Sequence, residues 1–245
     1  MEELELFNKR LESLISRAYE GVLCLLPFLD ETQVALVKEQ LKWHNEIKAS
    51  FNGGIINADR LRCVIAPSDY KADFKIVVYK IIYNKKYYTI SHRSILGSLM
   101  SLGIKREVLG DIVIDDDKFA YFACQREISE FLLQEFKYIG KAPIELEECQ
   151  EKIENVIKYE EKMYFISSLR LDAVIAIAFS ISRSVALDFI KNGFVFVNYL
   201  LNQNPSHRIL LNDIISVRHK GKIKILSIDG TTKSGRICVK IGKRV

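Results

Sequence analysis

Among the residues able to do chemistry, Gly230-Thr-Thr-Lys-Ser-Gly235-Arg-Ile237 comes nearest to a known catalytic device, the loop whose backbone N–H groups cradle nucleotide phosphates. That device needs a lysine for the terminal phosphates and a hydroxyl for magnesium. Arg236 and Ile237 occupy those two positions, and the apolar run after them reads as a strand where a helix is required. Nucleotide hydrolysis is therefore excluded here. Asp115-Asp-Asp117 offers three carboxylates, but on a tight turn they point in different directions and solvate a hairpin rather than converge on a cation. His92-Arg93 opens a helix, where an anion is favourably placed, and no partner for His92 as a general base is identifiable. Cys24, Cys63, Cys124, Cys149 and Cys238 are widely spaced, with no pair close enough to suggest a zinc or redox site. There is no glycine-rich cofactor loop either. The expectation is a protein that is not an enzyme and uses neither metal nor small-molecule cofactor.

What the sequence does concentrate is positive charge. The formal net charge is +5, yet residues 166–245 carry 13 Lys and Arg against 4 Asp and Glu, net +9, while residues 1–165 carry 23 against 27, net −4. A basic third on a mildly acidic body implies a polyanionic partner for that third. The candidate contacts to such a polyanion are Ser168, Arg170, Ser182, Arg183, Lys191, Asn192, Asn198, Ser206, Arg208, Arg218, Lys220, Lys222, Lys224, Lys233 and Arg236. His92 and Arg93 form a second candidate contact to RNA or another anion. Hydrophobic content of 49% with 27% charged residues is that of an ordinary folded protein. The longest apolar run, Ala173 to Phe179, is far short of the ~20 residues of a membrane-spanning helix, and the N-terminus is acidic where a signal peptide is basic. A cytoplasmic protein with no membrane partner is expected.

These groups need elements to hold them. Leu4, Phe7, Leu11, Leu14, Ile15 and Ala18 recur at helical spacing. Asp30 with Gln33 makes a capping box, stapled by Leu29 and Val34, for a second helix reaching Trp43. Gly53-Gly54 then breaks the chain, so residues 1–54 are expected to be a helical N-terminal region. From Arg62 the period changes: residues 62–66, 74–83 and 87–90 read as strands, 93–102 as a helix ended by Gly103, 111–114 and 119–124 as a hairpin, and 127–137 as a helix. Residues 55–146 are thus expected to form an α+β sandwich of the RNA-recognition-motif type, although that motif's aromatic signature is missing. Residues 147–164, rich in Glu and Lys, are expected to be a charged connecting helix or linker. Residues 165–245 supply two short helices, capped by Ser168 and Ser182, the second closed by Gly193, and then strands at 194–198, 214–218, 222–228 and 236–241. Lys222 and Lys224 share one face of their strand while Ile223 and Ile225 share the other. The fold class expected is α+β.

Five elements in order, Arg170-Leu-Asp172, Ser182-Arg-Ser-x-Ala186, Ile190-x-x-Gly193-x-Val195-x-Val197-Asn198, Pro205-Ser206 and Asp213-x-Ile215, resemble the RNA-binding domain named after ribosomal protein S4. The chain departs from such domains at Tyr199 and Asn212, positions where glycine is common. More widely, Ser167-Ser-Leu-Arg-Leu-Asp-Ala173, Ile228-x-Gly-x-Thr-Lys-x-Gly-Arg236, Ser91-His-Arg-x-x-Leu-Gly97, Leu102-Gly-Ile-x-Arg-Glu107 and Gly110-Asp-Ile112 resemble the bacterial YlmH family. The resemblance implies a structured-RNA-binding protein, expected as a monomer, acting on ribosomal or transfer RNA of the large ribosomal subunit in rescue or quality control of stalled translation. It also implies a link by gene neighbourhood to cell division. Two other readings stay open: an RNA-modifying enzyme that uses the S4-type domain to deliver substrate, and an interaction protein linked to cell division.

Overall fold

The computed structural model describes residues 2–115, 117–232 and 234–244. Its contacts divide the chain into two units, Met1–Val156 and Ile157–Val245, and each combines helices with antiparallel sheet.

In the first unit, α1 (Glu2–Tyr19) and α2 (Glu31–Leu41) pack on a sheet of β1 (Cys24–Leu29), β2 (Ile47–Asn52) and β3 (Leu61–Pro67), ordered β1-β3-β2. Leu11, Ile15 and Ala18 of α1 and Val34 and Val37 of α2 are buried against Leu26, Ile47 and Ile65. The expected capping box is present: the Gln33 N–H donates to Asp30 Oδ1 at 2.8 Å, and the Asp30 N–H donates to Gln33 Oε1 at 3.0 Å. The helical region expected over residues 1–54 is instead a helix–strand mixture. β1 is a short apolar run with Pro27 and a bulge between Leu25 and Phe28, so it shows no alternation to read. β3, expected to open the next domain, is the central strand here and pairs with both neighbours.

The second sheet of this unit holds β4 (Ile76–Tyr83), β5 (Leu109–Ile114), β6 (Ala120–Gln125), β7 (Tyr138–Ile139) and β8 (Ala142–Glu148), ordered β5-β6-β4-β8-β7. Helices α3 (His92–Ser101) and α4 (Ser129–Glu135) lie on one face, where Tyr79, Phe122, Ile95, Leu99, Leu132 and Phe136 form the core. With the short β7 set aside, the connectivity is the split β-α-β-β-α-β arrangement. The opposite face is covered as well, since Val78, Val113, Tyr121 and Ala123 are buried with Phe28 of β1 and Ile55. The covering chain runs so close at Gly54, where φ is +76°, that a Cβ there would sit 2.6 Å from Ile76 Cγ2. Residues 87–90 are not the strand expected: the Tyr87 and Tyr88 N–H groups bond back to the Asn84 carbonyl in a turn.

In the second unit, β9 (Tyr159–Ile166), α5 (Leu171–Ala178), α6 (Arg183–Lys191), β10 (Val195–Val197), β11 (Leu200–Leu201), β12 (Ile214–Val217), β13 (Gly221–Thr231) and β14 (Ile237–Arg244) follow in order. The six strands make one antiparallel sheet, β11-β10-β12-β13-β14-β9. The charged segment expected as a connecting helix or linker thus ends in a strand: Tyr159–Ile166 pairs residue by residue with β14 and is largely exposed apart from Ile166 at its end. Val174, Ile175, Ala186 and Ile190 of the helices are buried on Ile215, Ile223, Ile225 and Val239. Between the helices, Ser180 takes the left-handed conformation (φ +52°), and the Ile181 N–H donates to the Ala176 carbonyl at 2.9 Å. This closure turns the helix axes through 118°. Among the described residues, no single helix is long and apolar enough to cross a membrane.

Candidate functional site

The starts of α5 and α6 meet through one carboxylate. Asp172, 3% exposed at its side chain, accepts hydrogen bonds from Arg170 Nε and Nη2 at 3.1 and 3.2 Å, from Arg183 Nε at 2.9 Å and from the Ala173 N–H at 2.9 Å. Burial alone would raise the Asp172 pKa, but the bonds from the two guanidiniums outweigh it and hold the carboxyl below its ordinary range. The bond to Asp172 in turn raises the Arg170 pKa. Both arginines keep about half of their side chains in water, 41% and 53%. The result is a pair of guanidinium edges fixed in place and offered outward, the geometry that suits phosphate.

The expected cap Ser168 is not the cap of α5. Arg170 holds the N-cap position, and the Leu171 and Asp172 N–H groups donate to the carbonyls of His207 (2.9 Å) and Pro205 (3.2 Å). The segment 205–209 lies alongside 169–171, with a bridge between Arg170 and Arg208 and the Ile209 N–H on the Leu169 carbonyl at 2.7 Å. Those first-turn amides are consequently occupied by protein, and the expectation of a free N-terminus at α5 is corrected. The same segment brings the exposed Arg208 beside Arg170 and places Ser206 on the surface. At α6 the expectation holds, because Ser182 Oγ accepts from the Val185 N–H at 3.2 Å.

A second group forms on the sheet. The register pairs Ser216 with Lys222 and Ile214 with Lys224, leaving both lysines on the face away from buried Ile215, Ile223 and Ile225. The Lys222 ammonium lies 5.2 Å from the Tyr199 ring centroid, and the Arg218 guanidinium 5.9 Å from that of Phe194. Lys191 and Asn192 are exposed at the end of α6, where Gln203 Nε2 donates to the Lys191 carbonyl. Asn198 departs from its expected role. Its Nδ2 donates to Asp213 Oδ1 at 2.9 Å and its Oδ1 accepts from the Ile214 N–H at 3.0 Å, so the side chain pins a turn. Asn198 and Tyr199 both have positive φ, +49° and +69°, in the two-residue hairpin turn between β10 and β11, and Asn212 has φ +68°. The two departures from glycine therefore fall where a left-handed residue is required.

Sequence reasoning missed two cations. Lys162 and Lys243 join the expected Lys220 around a cavity of about 320 Å³ that also contains Glu160, Tyr164 and Phe179. The Met163-Tyr-Phe-Ile166 run that follows was the local signal for the strand that carries Lys162. Arg236 is exposed, its N–H bonded to Thr232 Oγ1, in the hairpin joining β13 to β14, while Lys233 lies outside the described residues. That hairpin also shows why the near-match to a phosphate loop has no helix to open. In the first unit, His92 and Arg93 are exposed in the first turn of α3, which Ser91 caps, and neither joins the groups above. Asp115 Oδ1 accepts the Phe119 N–H at 2.7 Å in its hairpin; Asp116 lies outside the described residues. Among the described residues no three His, Cys, Asp or Glu side chains are grouped to hold a metal ion. Burial pushes the Cys63 and Cys124 thiols up to about 12, which leaves them unreactive.

A family model described as a putative RNA-binding domain in YlmH matches residues 69–153. The ribosome-associated protein quality control protein P2 of Bacillus subtilis (strain 168) is 30% identical, over 86% of this chain and 84% of its own length. The chain belongs to the YlmH family. A solved structure, the cell division protein ylmH from Streptococcus pneumoniae, superposes with a TM-score of 0.51 at 26% identity, covering 60% of this chain and 91% of that one. The family model falls on the first unit, whereas charge and geometry gather candidate contacts on the second. This YlmH-family chain thus has two segments to account for.

Proposed function

We propose that the protein binds structured RNA, ribosomal or transfer RNA of the large ribosomal subunit, and acts in the cytoplasm as a monomer in ribosome-associated quality control, without catalysing a reaction. The second unit acts as an S4-type domain. The observation that carries this reading is the Arg170–Asp172–Arg183 cluster, whose Arg170 is bridged through its backbone to Arg208, in a unit of net charge +9. The name and 30% identity of the Bacillus relative support the ribosomal assignment.

The middle sheet has the strand order of an RNA-recognition motif, but it does not offer RNA that motif's usual surface. Such motifs stack bases on the sheet face opposite their helices. Here Phe28 and Ile55 bury Val78, Val113, Tyr121 and Ala123 on that face. RNA contacts of this unit therefore fall at its edges or in its clefts.

Gradient sedimentation of cell extract tests the reading. The protein should travel with large ribosomal subunits at moderate salt, and Arg183→Ala should release it at lower salt; a protein that stays at the top of the gradient refutes the assignment. Mass spectrometry of RNA from deletion and wild-type cells tests the absence of catalysis, since an RNA-modifying enzyme leaves a missing modification.

A further inference from the structure

We propose that the first unit carries an anion site of its own, a cavity of about 320 Å³ lined by Arg10, Arg60, Lys105 and Arg106 that receives a phosphate group. It stands independently of RNA binding by the second unit. Its walls come from α1, from residues 26–30, from Arg60 and from the turn at Lys105–Glu107. Two carboxylates, Asp30 and Glu107, also line it, and Asp30 is engaged in capping α2. Four cations thus face two lining acids, with Asp111 a third carboxylate acting on Arg60 and Arg106.

The two inner arginines make their hydrogen bonds to backbone carbonyls, while Asp30, Asp111 and Glu107 act on Arg60 only through space. Arg60 Nε and Nη2 donate to the carbonyls of Leu109 and Phe28 at 3.2 and 2.9 Å, and Arg106 Nη1 donates to those of Leu109 and Gly110 at 2.7 and 3.1 Å. Asp111 lies close to both, but its oxygens accept the Asp59 and Arg60 N–H groups at 2.7 and 3.1 Å. Arg60 Nη1 and Arg106 Nε and Nη2 have no hydrogen-bond partner among the described residues, and none of them is buried. They are donors on partly buried side chains whose other N–H groups are already fixed to carbonyls. Arg10 and Lys105 are exposed and make no ion pair among the described residues. Burial, with a further contribution from the neighbouring Arg60 guanidinium, lowers the Arg106 pKa to about 10 against the opposing pull of Asp111.

The site also gives a reason for two sequence motifs. Leu102-Gly-Ile-x-Arg-Glu107 presents Lys105 and Arg106, and Gly110-Asp-Ile112 lets β1 approach, because a Cβ on Gly110 would stand 2.8 Å from both Phe28 Cε1 and Ala123 Cβ. The volume is at the small end of ligand pockets and suits one phosphate with a sugar or base attached. The phosphate can belong to a free nucleotide or to an RNA strand.

The test uses the full chain in isothermal titration at constant ionic strength, with inorganic phosphate, 5′-AMP and a short 5′-phosphorylated single-stranded RNA as probes. Arg10→Glu/Lys105→Glu should keep the unliganded melting temperature and weaken at least one probe about ten-fold or more. In the Arg183→Ala background the same pair of substitutions should weaken the same probe by the same factor, which separates this cavity from the second unit. The control Lys71→Glu/Lys141→Glu makes the same charge change away from the cavity. Loss with phosphate or 5′-AMP identifies a free ligand, and loss confined to the oligonucleotide identifies an RNA strand. Absence of binding by all three probes, or equal weakening by the control, overturns the proposal.

Discussion

Replacing Asp172 with asparagine keeps the shape of the side chain and removes its charge, and it should be the most costly conservative change in the second unit. The carboxylate is 3% exposed and accepts four hydrogen bonds, three of them from guanidiniums. Losing one member of a fully buried ion pair costs about 3–5 kcal/mol. Here both arginines stand about half in water, which screens the interaction and lets their charges remain solvated when the partner is gone. A cost below that range, about 2 kcal/mol, therefore applies. Hydrogen exchange measured by mass spectrometry on the full chain should show amides of α5 and its underlying sheet exchanging roughly 30-fold faster in Asp172→Asn, with the first unit unchanged.

The pH dependence has a definite sign. The folded-state pKa of Asp172 lies below its ordinary value of 3.8, so its contribution is complete above that value and is lost as pH falls through the folded pKa. The gap between wild type and variant should be flat from about pH 5 to 8 and close below about pH 4. RNA affinity should fall in Asp172→Asn although the unit gains a positive charge, because the guanidiniums are no longer held in place. A stability gap under 0.5 kcal/mol, or tighter RNA binding from the added charge, would refute the positioning role.

Other outcomes follow from the same contacts. Arg183→Ala and Lys222→Ala should each weaken RNA binding and lower the slope of log affinity against log salt by about one, with the fold intact; an unchanged slope removes that residue from the interface. Asn198→Ala breaks bonds to Asp213 and Ile214 at a left-handed position, so urea unfolding should register a loss of about 1–3 kcal/mol while the salt slope stays at the wild-type value. Gly110→Ala should destabilise the first unit by about 1–3 kcal/mol in the same assay, since its Cβ would meet Phe28 and Ala123 at 2.8 Å.

Local chemistry was legible in the sequence, and pairing across distance was not. The Asp30–Gln33 box, the Ser182 cap and the Gly193 closure each depend on three or four consecutive residues, and all three are in place. The alternation of Ile223 and Ile225 against Lys222 and Lys224 likewise set the two faces of β13. β1 escaped because its short apolar run does not alternate, whereas Ile47, Ala49 and Phe51 of β2 do alternate with Lys48, Ser50 and Asn52 and could have placed that strand; β3 was assigned to the wrong sheet because its largely buried pattern does not say which neighbours bury it. The candidate site shows the same division more sharply. Arg170 and Arg183 could be named from charge and position, but Asp172 was read as part of a motif and not as the group that joins them. Ser168 was given a cap's role because nothing local reveals that residues 205–209 would come alongside and occupy the first amides of α5. The cavity in the first unit is the extreme case, since Arg10, Arg60, Lys105 and Arg106 come from segments spread over almost a hundred positions. Each cation alone is indistinguishable from a solvated surface charge. Only the folded backbone, with carbonyls of Phe28, Leu109 and Gly110 turned toward two of them, makes the four into one site.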